Sequence, residues 1–185
     1  MPRPPFITDV VALRRHHGRR EGPRVHAPLA GMAITESWVP ETAPVDLDVT
    51  LEAVEGGVVV TGTVRSPWVG ECRRCLGRVA GALEVAVREV FVREPEEGEA
   101  YPIHGDHIDL EPLTREAVVL SLPLAPLCGT DCAGLCPSCG ADLNAGACGC
   151  GPAGLDPRWA ALDALSEERG PAPGALHVRG PREPR

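Results

Sequence analysis

Cysteine is the residue type in this chain with the most chemistry to offer. There are eight: Cys72, Cys75, Cys128, Cys132, Cys136, Cys139, Cys148 and Cys150. They stand in close pairs, Cys72-x2-Cys75, Cys128-x3-Cys132, Cys136-x2-Cys139 and Cys148-x-Cys150. Structural disulfides gain most when they close long loops, so pairs this near in sequence serve that purpose poorly. Two thiolates a few residues apart are suited to gripping one metal ion. GECRRCLG (residues 70–77) and GLCPSCG (residues 134–140) have the form of zinc knuckles, tight turns that aim backbone N–H groups at the thiolates. Gly140 permits the left-handed conformation that closes such a turn, and Pro137 presets φ within it.

Zinc takes four ligands in a tetrahedron, so eight thiols predict two sites. Chain distance favours a local site of Cys136, Cys139, Cys148 and Cys150, and a long-range site of Cys72, Cys75, Cys128 and Cys132. Two rival groupings stay open at this point: a two-knuckle ribbon of Cys72, Cys75, Cys136 and Cys139, and a local cluster of Cys128, Cys132, Cys136 and Cys139. All-thiolate sites are closed, whereas catalytic zinc keeps a position open and usually has a His or carboxylate ligand, so the expectation is no enzyme. A redox dithiol would want an exposed C-x-x-C opening a helix after a strand, and neither C-x-x-C is followed by a clear helical pattern. His104 and His107 have no Cys or His grouped with them and read as surface residues.

The chain around these cysteines must position them. Its 185 residues make one domain with a small appendage. Only six residues are Phe, Trp or Tyr, so the core is predicted to be Val, Leu and Ala. VDLDVTLEAV alternates Val45, Leu47, Val49, Leu51 and Ala53 against polar residues, a half-buried strand. A turn at Glu55-Gly56-Gly57 and VVVTGTV (58–64) complete a predicted hairpin. LEVAVREVFV (83–92) resumes the alternation, with a slip expected near Val90, which puts the first knuckle at a strand-to-strand turn. Residues 94–107 read as acidic and irregular. Asp109 can cap a helix with Pro112 in its first turn; Leu110, Leu113, Ala117 and Leu120 follow helical spacing and Pro123 ends it. Asp156-Pro157 opens a second short helix carrying Trp159, Leu162 and Leu165, and the Pro/Gly/Arg-rich residues 170–185 read as disordered. The fold class expected is α+β: an antiparallel, β-hairpin-rich sheet or partial barrel with a mid-chain helix and a small C-terminal zinc-binding appendage. The predicted boundaries are 1–127 for the β-rich core, 128–168 for the appendage and 169–185 for the tail.

The formal charge of −8 disfavours non-specific nucleic-acid binding, which runs on phosphate neutralisation by a basic face. The charge is uneven. Arg14, Arg15, Arg19 and Arg20 lie in a basic N-terminal block, and Arg73 and Arg74 lie in the first knuckle. These six are the candidate contacts to RNA or to a partner. The N-terminal segment lacks the apolar run of a signal peptide, and no stretch approaches the ~20 apolar residues of a membrane span, so a cytoplasmic protein with reduced thiols is expected. P-loop, G-x-G-x-x-G and G-x-S-x-G motifs are absent from the sequence, and no small-molecule substrate is expected.

Four landmarks in order, GECRRCL, HIDLEPLTREAVVLSLPLAPLC, DCAGLCPSCGADLN and LDPRWAAL, resemble the YceD-type proteins, named for large ribosomal RNA subunit accumulation. The resemblance runs from about residue 45 to 165. It implies a bacterial protein needed for 23S ribosomal RNA to accumulate, a role in large-subunit assembly, and a large-subunit precursor (ribosomal protein or 23S RNA) as partner. It implies no known catalytic activity. The family's metal-type positions fall on Cys72, Cys75, Cys128, Cys132, Cys136 and Cys139, while Cys148 and Cys150 match the cysteine-rich version of the tail. A zinc-ribbon module of transcription is the competing reading; low basicity and the lack of an Arg-rich recognition helix weigh against it.

Overall fold

The computed structural model describes residues 4–15, 20–96, 98–151 and Arg158. In chain order the elements are β1 (Ile7–Asp9), α1 (Val11–Arg15), β2 (Arg20–Glu21), β3 (Arg24–Pro28), β4 (Ser37–Trp38), β5 (Pro44–Val54), β6 (Gly57–Glu71), β7 (Arg78–Val92), β8 (Tyr101–His104), β9 (His107–Asp109) and α2 (Glu111–Ser121). The side chains of Arg14, Arg15 and Arg20, all of Arg19, the helix expected from Asp156 to Leu165 and the tail from residue 169 lie outside the described residues.

Strands dominate, and they join in one sheet of order β1-β9-β8-β7-β6-β5-β2, a half-barrel open at its ends among the described residues. The alternation in β5 is borne out: Val45, Leu47, Val49, Leu51 and Ala53 are buried, while Asp46, Asp48 and Thr50 are exposed. β5 turns into β6 through two residues, with Val54 opposite Gly57 and Gly56 at φ +85°. The spine of the sheet is the β6–β7 hairpin, in which Gly57 to Glu71 pair without a break against Val92 to Arg78. Strands this long, roughly three times the usual length, accumulate twist and curl. β3 and β2 follow one another along the outer edge of β5, and β4 pairs β6 at Val69 and Gly70, beyond the end of β5.

Three readings of the sequence need correction. β6 continues past Val64 to Glu71, because Ser66, Trp68 and Gly70 keep the inward phase; Trp68 lies over Gly81, its cross-strand partner, where a Cβ would come within 2.8 Å of the indole nitrogen. No slip occurs near Val90: Leu83, Val85, Val87 and Phe91 hold one phase, Glu89 sits in it half-buried, and Val90 points outward, 39% exposed. Residues 101–109 are a hairpin rather than irregular, with Gly105 at φ +60° in its turn and Ile103 and Ile108 buried. Its strands are short, and Pro102 and the charged flanks obscured the alternation.

α2 starts as anticipated, except that Leu110 occupies the cap position and Asp109 precedes it, accepting the Glu111 N–H on Oδ1 at 2.9 Å. Leu113, Thr114 and Val118 face the sheet. Leu120, expected on the buried face, is 78% exposed; Leu122 beyond the helix end is buried in its place. The core is aliphatic, as the composition required. Phe91, fully buried, stacks on Tyr101 with ring centroids 5.1 Å apart. The Tyr101 hydroxyl donates to Glu116 Oε2 at 2.6 Å, and burial first, then that carboxylate, pushes the phenol upward from its ordinary pKa. Among the described residues no helix is long and apolar enough to cross a membrane.

Candidate metal centres

The first knuckle caps the β6–β7 hairpin: residues 72–77 link Glu71 to Arg78, the last register pair. Cys72 N donates to Gly77 O and Leu76 N to Cys72 O, both at 2.8 Å. The second knuckle repeats this turn, with Cys136 N to Ala141 O and Gly140 N to Cys136 O, again both 2.8 Å. The residue after the second cysteine is left-handed in each, Gly140 at φ +73° and Leu76 at φ +59°. A leucine is strained there, since its Cβ crowds the backbone by roughly 1 kcal/mol or more, and Leu76 is 62% exposed, so little burial compensates. Leu76→Gly is expected to keep the fold and raise stability by roughly 0.5–1 kcal/mol in a urea titration, the strain relief exceeding the entropy that glycine adds to the unfolded chain.

The fold brings the thiols together in two groups of four. Cys72, Cys75, Cys128 and Cys132 form one and Cys136, Cys139, Cys148 and Cys150 the other; within each, all sulfur atoms lie within 4.8 Å of one another. This is the division by chain distance, and neither rival grouping occurs. In the first group Cys72 Sγ is 3.8 Å from Cys132 Sγ, and Cys75 Sγ is 3.6 Å from Cys128 Sγ. Four sulfurs about 2.3 Å from a central ion at tetrahedral angles would be about 3.8 Å apart. The donor set and its spacing therefore fit a tetrathiolate metal ion, and each group could hold one.

Backbone dipoles prepare one thiol in each group. Cys72 is lowered to about 6, chiefly by the Cys75 backbone N–H, against the opposing pull of burial, with further help from the N–H of Arg74, 3.5 Å from the sulfur. Cys136 is lowered to about 6 by the N–H groups of Cys139 and then Ser138. Cys128 is pushed up to about 12, because its thiol keeps its proton in hydrogen bonds to Cys132 and then Cys75, with burial acting the same way. A thiolate cluster without a cation repels itself; a divalent ion at its centre removes that penalty and drives the remaining protons off.

The first centre joins parts distant in sequence, since Cys75 and Cys128 are separated by 53 positions. Arg73 N donates to Pro126 O at 3.0 Å, so the turn also holds the segment leaving α2 by its backbone. Arg74 commits its guanidinium to the structure: Nη1 donates to Cys132 O at 3.0 Å and to Thr130 O at 3.3 Å. Arg73 is exposed beside it. Buried Ser37 donates to Pro123 O at 2.9 Å, fixing the exit from α2 against β4.

The sequence reading missed Asn144. Its side-chain amide donates to Cys132 Sγ at 3.4 Å and to Asp142 Oδ1 at 2.7 Å, and its Oδ1 accepts the Ala133 N–H at 2.8 Å. Leu135 N reaches Arg74 O at 3.1 Å. The loop between Cys139 and Cys148 thus supports a sulfur of the other group, and the two are braced together. The signal available was Asp142-x-Asn144 after a knuckle, a pair suited to local turn hydrogen bonds.

A half-barrel of strands carrying two tetracysteine clusters, one at a hairpin tip and one in the loop beyond it, defines the class of this protein. Residues 60–166 match the family described as large ribosomal RNA subunit accumulation protein YceD, and the chain belongs to that family. It is 40% identical over 171 residues to uncharacterized proteins of Mycobacterium tuberculosis and Mycobacterium bovis, an alignment covering 85% of this chain and 80% of each relative. A Mycobacterium leprae protein is 35% identical over 148 residues, covering 75% of this chain and 68% of the relative. No solved structure matches the chain.

Proposed function

We propose that this chain is a non-enzymatic, zinc-binding assembly factor of the large ribosomal subunit that supports accumulation of 23S ribosomal RNA in the cytoplasm. The observation that carries the reading is the family match, which spans 60–166 and so takes in most of β6, all of β7 and α2, and both cysteine clusters. Zinc is the ion assigned because soft thiolates at tetrahedral spacing select it among common divalent metals. With thiolates at all four corners no position is left for a substrate, which supports a structural rather than a catalytic role. Two occupied centres would take the formal charge from −8 to about −12. A chain this acidic is better matched to a basic ribosomal protein within the precursor than to bare RNA. Arg73, exposed on the first knuckle, and the arginines of the N-terminal block are the positively charged points where contact with RNA remains favourable.

Depletion of the protein tests the reading. The expected result is accumulation of large-subunit precursors in a sucrose gradient and a fall of 23S relative to 16S RNA, restored by the parent chain. Unchanged precursor and 23S levels reject it.

A further inference from the structure

The outer edge of β7 faces an open slot. Among the described residues, β7 is paired on that side only at Phe91 and Val92, where β8 runs parallel to it through Tyr101 and Pro102. Upstream of this pairing a cavity of about 260 Å³ separates β7 from α2. The five consecutive residues 85–89 all line it. Side chains of a strand alternate between its two faces, so consecutive residues share a hollow only when it runs along the strand's edge. The opposite wall is α2, where Leu113, Ala117 and the exposed Leu120 supply an apolar strip flanked by Glu116 and Ser121. At the Tyr101 end the slot opens into a second hollow of about 390 Å³ whose charged lining, among the described residues, is acidic: Glu89, Glu99 and Glu116.

A strand edge beside an apolar strip is a template for one more strand, which would gain main-chain hydrogen bonds along β7 and a seat for its alternate side chains against Leu113, Ala117 and Leu120. We infer that this slot binds an extended basic segment of a partner protein by strand addition to β7, with apolar side chains against Leu120 and arginine or lysine at the glutamate end. Charge decides among the occupants. A second copy of this chain, edge to edge, would bring its own Glu89, Glu99 and Glu116 into the same region, and like charges oppose that pairing. Nucleic acid would carry phosphates into the same glutamates. Arg88, the basic residue on this stretch of β7, also lines a hollow beside Thr50, Glu52 and Thr61 on the neighbouring strands. The slot stands on geometry independent of the ribosomal role, and its test is separate from depletion.

The test uses the full chain and a fluorescently labelled eight-residue peptide alternating arginine and valine, with a glutamate–valine peptide as control. The expected result is saturable anisotropy for the arginine peptide alone, weakening with salt, and slower amide exchange across residues 83–90. Leu120→Asp and Glu99→Lys alter exposed side chains, so both variants should fold, as circular dichroism would verify, while each weakens binding about tenfold or more. The inference is overturned if the peptide leaves β7 exchange unchanged or binds both variants like the parent. It is also overturned if β7 protection rises with protein concentration alone, which would assign the edge to a second copy, or if labelled oligouridine RNA, without peptide, binds the parent and slows amide exchange across residues 83–90.

Discussion

Cys72→Ser is expected to reduce the metal content from two zinc ions per chain to one, and Cys148→Ser to do the same from the other cluster. The two losses should differ in consequence. Cys72 lies in the group that ties the tip of the β6–β7 hairpin to the chain beyond α2, across a separation of 53 positions between Cys75 and Cys128. Without that ion, Arg74 and Asn144 would brace a cluster that no longer holds together, and the thermal midpoint should fall by more than about 10 °C, since the binding energy of a structural ion is folding energy. Cys148→Ser releases only the loop after the second knuckle and should leave the protection of β5, β6 and β7 unchanged. Chelation of the parent should follow the same logic, melting the segment from Cys128 onward before the sheet. Elemental analysis of the three proteins, combined with amide exchange, reads both effects. A single ion in the parent, unchanged in Cys72→Ser, would remove the first cluster as a metal centre, and equal loss of sheet and loop on chelation would remove the proposed order.

Much of this site was legible because the sequence states it locally. A C-x2-C pair followed directly by glycine or its stand-in specifies its own turn, whichever fold surrounds it, and both knuckles have the expected geometry. The grouping of thiols was legible only as a preference, since chain distance says what can meet and packing says what does. Strands were readable where one face is apolar, as in β5. They were misread where side chains are small: Gly70 and Gly81 extend the hairpin by letting Trp68 and Pro126 lie against bare backbone, a fit without a hydrophobic letter in the sequence. Leu120 misled for the opposite reason. Its spacing says core, but α2 stands beside the open edge of β7, and the slot there leaves the leucine uncovered. Asn144 could not be assigned, because its role depends on a sulfur twelve positions away being turned toward it.

Phe91→Ala is expected to cause the largest loss of stability from a single core position. Phe91 is fully buried in a core otherwise made almost wholly of Val, Leu, Ile and Ala, and few neighbours can move to fill its space. Truncating a buried phenylalanine costs roughly 3–5 kcal/mol, a large part of the 5–15 kcal/mol that holds a typical domain. At about 2–4 °C per kcal/mol for a chain of this size, the midpoint should fall by roughly 6–20 °C. Phe91→Leu keeps most of the volume and should lose far less, about 1–2 kcal/mol. The defect should spread in one direction. Phe91 pairs with Tyr101 in register and stacks on its ring, and this is where the β8–β9 hairpin, with β1 against it, attaches to the long strands. Amide exchange should therefore accelerate in β8, β9 and β1 well before β5 and β6. The same change should weaken peptide addition in the slot, whose far end is built on Tyr101. If β8 and β9 keep parent-like exchange in Phe91→Ala, the stacked pair is not what joins the hairpin to the sheet, and the parallel β7–β8 pairing carries that load.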